Sequence, residues 1–243
     1  MTMIVDIDIG NTSANWRLSS DAEIIARGVT SSRKNDWSDF LPLRHYKPRR
    51  VRVSNVAGAL VAEQLQSVVT DYFQLDVEFA APCASVGQVT SGYKQPEQLG
   101  VDRWLAILAA WDLFAERFVV IDAGSAMTFD FVDSHGCHKG GYIVPGQSMM
   151  IDALLGGTSG VRVSAQSVSS TDSGADTSRA VQNGCFSLAL ALIEKVVQKD
   201  TAGRADLNVV LTGGDAVALL KYLPSSVAHK PDLVLDGLAV ALP

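Results

Sequence analysis

Long apolar runs are scarce in this chain. None approaches the ~18 residues that a membrane span requires, and the amino-terminal stretch reaches Asp6 before an apolar signal core could form. No membrane partner and no secretory leader are therefore expected. Cysteine is scarce as well: Cys83, Cys137 and Cys185 contain no C-x-x-C pair and are odd in number. That excludes a disulfide framework and fits reduced thiols in the cytoplasm. Without a secretion route, the Asn11-Thr12-Ser13 sequon has no access to a glycan. Positive charge is in deficit, with a formal net charge of -6. A general nucleic-acid binder needs cationic surface for phosphate contacts and is excluded on that ground; a small anionic substrate is not, because a local site can differ from the average field. Two nucleotide signatures are also missing. There is no G-x-x-x-x-G-K followed by Ser or Thr, and no G-x-G-x-x-G, so neither a P-loop enzyme nor a standard dinucleotide fold is expected.

What is present is a chain of 243 residues, 47% hydrophobic, enough for one large domain or two of about 120 residues. "MIVDIDI" (3–9) reads as a strand, "SANWRL" as its return and "EIIARGVT" (23–30) as a third strand, giving an antiparallel meander. Residues 31–50 are polar. "VRVSNV" (51–56) alternates as a half-buried strand, and 59–73 carries the spacing of a helix. "DVEFA" is a short strand, and 100–114 is a strongly apolar helix. Then the opening returns: Asp8-Ile9-Gly10-Asn11 is matched by Asp122-Ala123-Gly124-Ser125, 114 residues later. A second hairpin follows, then a helix over 146–155, a loop rich in small polar residues over 156–176 and a long helix over 177–199. A strand–Gly-Gly–helix unit occupies 207–223, and an apolar helix or strand closes the chain. The expectation is a duplicated α/β plan, with domains 1–115 and 116–243 and a cleft between them.

The two Asp-x-Gly bends carry the chemistry. Glycine lets a ligand approach the main chain, and the turn amides, with Asn11, Thr12 and Ser13, can donate to phosphate oxygens. Asp8 would repel phosphate directly; a divalent ion between the two, of which Mg2+ is the usual one, removes the conflict. A single such bend is more often plain hairpin chemistry, but its repetition in the second half favours a ligand role. "LTGGDA" (211–216) is either an ordinary strand-to-helix connection or a backbone surface against which a flat ring can lie. Asp102 and Arg103 open the apolar helix after 100. There Asp102 is either a cap and dipole partner or a general base that orients an alcohol during phosphoryl transfer. Arg103 and the helix start can hold an anion, and Tyr93 can line the same pocket.

Six motifs in this order, "DIGNT" (8–12), "GYKQPEQLGVDRW" (92–104), "IDAGSAMTFDFVD" (121–133), "GGYIVPG" (140–146), "DTSRAVQNG" (176–184) and "TGGDA" (212–216), resemble those of type III pantothenate kinases. These belong to the acetate and sugar kinase/Hsc70/actin superfamily. The resemblance spans essentially the whole chain and implies a duplicated RNase H-like fold. It implies ATP-dependent phosphorylation of pantothenate to 4′-phosphopantothenate, the first step of coenzyme A biosynthesis. By the resemblance, Asp8, Ile9, Gly10, Asn11, Thr12, Ser13, Ala14 and Asn15 bind the ATP phosphates with Mg2+, and Ser125 faces ATP. Asp102 accepts the proton. Tyr93, Gly100, Val101, Asp102 and Arg103 contact pantothenate, with Thr177 joining them across the interface of a homodimer. Asp122 sits at a monovalent cation site for K+ or NH4+. One departure is Ser125, where the family usually carries Thr: the hydroxyl is kept, but the β-methyl that restricts its rotamer is lost.

Other signals carry less. His135, Cys137 and His138 in "HGCH" suggest zinc only until the absence of a fourth ligand cluster is noted; they read as a hairpin tip. The basic stretch Arg44 to Arg52 reads as a solvated loop. Trp104, Leu105, Leu108 and Trp111 read as core or dimer interface. Two competing functions remain: a phosphohydrolase of the same superfamily, distinguished by ATP turnover without an acceptor, and an accessory regulatory factor. The latter calls for a dead site, whereas Asp8, Asp102, Arg103 and Asp122 are all in place.

Overall fold

The computed structural model describes residues 2–21, 23–32, 37–164, 170–201 and 207–243. The chain forms two compact units, Met1–Leu113 with Asp232–Pro243, and Phe114–Pro231.

In the first unit, β1 (Met3–Ile9), β2 (Ala14–Ser20) and β3 (Glu23–Thr30) form the expected meander. β4 (Arg50–Asn55) pairs parallel to β1 on its other side. Helix α1 (Ala59–Phe73) connects it to β5 (Val77–Phe79), giving a sheet of order β3-β2-β1-β4-β5. One face of β1 sends Val5, Ile7 and Ile9 into a core with Leu18, Val51, Val53, Leu65 and Val69. Part of the polar 31–50 stretch belongs to that core: a 3-10 helix over Ser38–Tyr46 inserts Phe40 and Leu43, and Trp37 stacks on Phe40 at 5.6 Å. Residues 33–36 of that stretch lie outside the described residues. A two-stranded ribbon, β6 (Ser85–Val86) with β7 (Val89–Thr90), precedes helix α2 (Val101–Phe114), whose Trp104, Leu105, Ile107 and Leu108 are buried.

The second unit repeats the plan. β8 (Phe118–Ala123), β9 (Ala126–Val132) and β10 (His138–Pro145) form an antiparallel meander, followed by helices α3 (Gln147–Gly157) and α4 (Thr177–Thr201). β11 (Asn208–Thr212), the short helix α5 (Ala216–Leu220) and β12 (Ala228–His229) complete a sheet of order β10-β9-β8-β11-β12. Strand for strand this is the order of the first sheet, and Asp8 and Asp122 each occupy the penultimate position of the leading strand. Of the expected loop, residues 165–169 lie outside the described residues. Over Thr177–Gln198, α4 is long and apolar enough to cross a membrane by composition. Its Phe186, Ala189, Leu190, Ile193 and Val196 are packed in the core of this unit.

The expected second domain, 116–243, departs from the observed division at its carboxyl end. Residues 232–243, with helix α6 (Leu233–Ala241), pack with the first unit. The reason is physical. Leu233, Val234, Leu235 and Leu238 are buried, and Gly237 lies so close to the Leu105 main chain that any Cβ there would overlap it. Arginines of β2 and β4 tie the helix down at both ends: Arg17 Nη2 donates to Leu235 O (2.9 Å) in its first turn, and Arg52 Nη1 donates to Leu242 O (3.0 Å) at its carboxyl end. Cations at a helix carboxyl end satisfy its orphan acceptors and its dipole.

Candidate active site

Asp6 and Asp8 project from the same face of β1, two residues apart, as side chains on a strand do. Their neighbours in register differ. Asp6 lies between Arg17 on β2 and Arg52 on β4. It is fully buried and accepts from Arg17 Nε (3.1 Å), Arg52 Nε (2.7 Å) and Arg52 Nη2 (3.1 Å). Asp236 of α6 pairs with Arg17 on its outer side. This acid is structural: it joins three elements around one neutralised charge. Asp8, by contrast, lies between Asn15 and Ser54, neither of which is charged. Its Oδ1 is buried and has no hydrogen-bond partner among the described residues.

Burial pushes the Asp8 carboxyl from the ordinary carboxylate range up to about 7; the Ser54 hydroxyl beside it works against that rise, and the charge of Asp102 adds to it. Asp102 is therefore within electrostatic reach of Asp8. It sits in the first turn of α2, where its Oδ1 accepts from the Arg103 amide (2.8 Å). Gly100 makes the position available: a Cβ there would stand 2.6 Å from Asp102 Oδ1. Arg103 is buried. Its Nη1 donates to the Tyr93 hydroxyl (2.9 Å), and its guanidinium carbon lies 5.7 Å from the centre of the Tyr93 ring. A cation is thereby held on the approach to the helix start.

The bend after β1 is closed by the Gly10 amide donating to Ser13 O (3.0 Å). Asn11, Thr12 and Asn15 are exposed and Ser13 half-buried, whereas the side chains of Ile9 and Ala14 are fully buried. Ile9 and Ala14 can offer a ligand only their main chain, and Val101, buried at the start of α2, is in the same position.

In the second unit, Asp122 stands one residue from the end of β8, within a frame of close main-chain approaches. Gly213 has φ +93°, and a Cβ there would overlap both Asp122 Oδ1 and Ala123 O. The Asp215 amide donates to Ala123 O (2.9 Å) and the Gly146 amide to Ser125 O (3.0 Å). Ser125 is exposed on the bend. A small cavity beside it is lined by Gly124, Met127, Gly146, Phe186, Asp215 and Leu219; burial raises the Asp215 carboxyl above its ordinary range. Thr177 is exposed on the first turn of α4, and the helix start is capped by Asp176, whose Oδ1 accepts from the Arg179 amide (2.9 Å).

The "HGCH" segment is a turn. Asp133 Oδ1 accepts from the His135 amide (2.9 Å) and the Cys137 amide (3.0 Å), and His138 Nε2 pairs with buried Asp130 at 2.9 Å. Among the described residues no group of three His, Cys, Asp or Glu side chains is placed to hold a metal ion. A metal that arrives with a nucleotide needs less: Mg2+ keeps several waters and is held by one or two carboxylates plus phosphate oxygens. The unpartnered Asp8 oxygen fits that requirement.

The sequence model of type III pantothenate kinases matches residues 4–199. A type III pantothenate kinase of Alcanivorax borkumensis is 34% identical over 241 residues, covering 97% of each chain, and one of Pseudomonas syringae pv. syringae is 35% identical over 249 residues, covering 99% of each. The chain belongs to the type III pantothenate kinase family. Solved structures under 25% identity share the family's fold. A protein assigned to the Baf family of transcriptional activators, from Campylobacter jejuni, has TM-score 0.58 and 22% identity over 98% of this chain and 95% of that one. A protein assigned as a 2-dehydro-3-deoxygalactonokinase, from Sinorhizobium meliloti, has TM-score 0.57 and 15% identity over 98% and 97%. The duplicated RNase H-like fold of the actin-like ATPases and sugar kinases is thus the fold of this family member.

Sequence reasoning missed Ser54, the fully buried neighbour of Asp8. Its signal is the parallel register of β4 on β1, which no local pattern encodes.

Proposed function

We propose that this chain transfers the γ-phosphoryl group of ATP to the primary hydroxyl of pantothenate, giving 4′-phosphopantothenate and ADP at the first step of coenzyme A biosynthesis. The observation that carries the reading is the meeting, in one unit, of two acids with different tasks. Asp102 stands at a helix start beside a fixed arginine, and Asp8 keeps an unpartnered buried oxygen within reach of that charge. Near full-length similarity to enzymes named for this reaction supports it.

The Asp102 carboxylate takes the proton of the pantothenate hydroxyl as its oxygen bonds to the γ-phosphorus, and the bond from that phosphorus to the β,γ-bridging oxygen breaks as ADP leaves. Such transfers depend on positioning and charge stabilisation more than on covalent chemistry. Arg103, steadied by Tyr93, holds the acceptor's carboxylate, and Gly100 and Val101 contact the acceptor through their main chain. The bend from Asp8 to Asn15 receives the phosphates through backbone amides and the Asn11, Thr12 and Ser13 side chains. Mg2+, when bound with the nucleotide at Asp8, supplies neutralising charge to the phosphate oxygens. Asp122 belongs to a site for K+ or NH4+, Ser125 faces the nucleotide, and Thr177 reaches the acceptor of a partner copy in a homodimer. The reaction draws on cytoplasmic ATP.

A coupled assay of ADP formation tests this. Turnover should require pantothenate and rise with K+, and Asp102→Asn should fold normally yet lose about 10²- to 10⁴-fold in kcat, the usual worth of a general base. Undiminished turnover by Asp102→Asn would remove the base assignment, and ATP hydrolysis indifferent to pantothenate would indicate a hydrolase instead.

A further inference from the structure

Ser54 and Asp8 are register partners in the parallel pairing of β4 with β1, and such partners project from the same face of a sheet. Ser54 is 0% exposed. Its hydroxyl has no hydrogen-bond partner among the described residues, and neither has the buried Oδ1 of Asp8. A donor and an acceptor thus lie side by side, close enough for the hydroxyl to favour the Asp8 carboxylate but short of a well-formed hydrogen bond. Buried polar groups in native proteins are nearly always satisfied, so the ligand-free chain carries an unfavourable pair at this point. Two residues earlier on the same face, the chain handles an acid differently: Asp6 is permanently neutralised by Arg17 and Arg52. An arginine beside Asp8 would cancel its charge. A serine offers one neutral donor, which favours the carboxylate form and leaves the anion available to a cation.

We infer that Ser54 is the positioning residue for Asp8: its hydroxyl donates to Oδ1 when the carboxylate engages the divalent ion of the nucleotide, fixing the orientation of the remaining oxygen. This inference rests on the kinase reading of Asp8. Donors behind a metal-binding group orient it, and their removal typically weakens metal affinity by about 10- to 100-fold. The unsatisfied pair of the free protein is then the resting form of a contact completed on loading.

The test uses Mn2+ in place of Mg2+. It is titrated against the full chain in the presence of ADP, free Mn2+ being read by electron paramagnetic resonance, and the urea midpoint of each variant is measured alongside. Ser54→Ala should lower Mn2+ affinity about tenfold or more, while its unfolding midpoint stays level or rises because an unsatisfied hydroxyl has gone. Ser54→Thr, which keeps the hydroxyl, should recover the affinity. A packing role gives the opposite pattern, a lowered midpoint with wild-type Mn2+ affinity in Ser54→Ala, and overturns the inference. Asp8→Asn separates the two levels of the argument. If it loses Mn2+ binding while Ser54→Ala does not, only the role of Ser54 falls; if it binds Mn2+ as the wild type does, Asp8 is not the metal-binding acid and both readings fall together.

Discussion

Replacing Asp8 by asparagine should make the ligand-free protein more stable, and only at higher pH. In the folded chain the Asp8 carboxyl keeps its proton up to about pH 7, because burial disfavours the anion, whereas the unfolded chain releases it near the ordinary aspartate value of 3.8. Between those values the native state binds the extra proton. The stability tied to Asp8 is therefore fully present below the unfolded value and is lost as pH rises through the folded one. The difference between 3.8 and about 7 corresponds to about 4 kcal/mol. That figure is an upper bound, since the residue is only half-buried as a whole and water screens part of its charge. Urea unfolding of the metal-free protein at about pH 4, 6 and 8 measures the effect. Wild type should weaken across this range by more than Asp8→Asn does, and the variant should be the more stable of the two at the alkaline end, with no kinase activity. Parallel pH profiles for the two proteins, or a variant less stable than wild type at pH 8, would refute the claim that Asp8 is held as a costly buried acid.

Two further substitutions probe the frame around the site. Gly100→Ala puts a Cβ 2.6 Å from Asp102 Oδ1, so the carboxylate must shift. Steady-state kinetics should show kcat reduced by about 10²-fold, the scale expected for an ångström of misplacement, with KM for ATP little changed; a change confined to KM for pantothenate would point to a lost contact instead. Asp6→Asn leaves the buried Arg17 and Arg52 without their shared counter-charge and should cost about 3–5 kcal/mol, seen as a large drop in the urea midpoint. A loss within about 0.5 kcal/mol, as at ordinary surface positions, would contradict the structural role given to that residue.

The strands and helices whose side chains follow a local period were legible in the sequence. α1 was expected over 59–73 and lies there, because its apolar residues recur at helical spacing. The repeated meander was legible because each Asp-x-Gly bend punctuates an alternating strand. The 3-10 helix over Ser38–Tyr46 was not, since a short element interrupted by Pro42 has no period to read, and Trp37, Phe40 and Leu43 reach the core from a segment that looks polar. The two acids of β1 looked alike in sequence. Only the lateral neighbours, Arg17 and Arg52 for one and Asn15 and Ser54 for the other, distinguish the neutralised acid from the uncompensated one. Asp102 was read in two ways; its Oδ1 accepts from the Arg103 amide at the helix start, and its charge is felt by Asp8.

Because residues 232–243 pack with the first unit, the order of synthesis and the order of completion differ. Phe114–Pro231 has all its strands once β12 has emerged from the ribosome. The sheet translated first must wait, its inward-facing arginines without their carbonyl partners, until residues 232–243 have emerged as well.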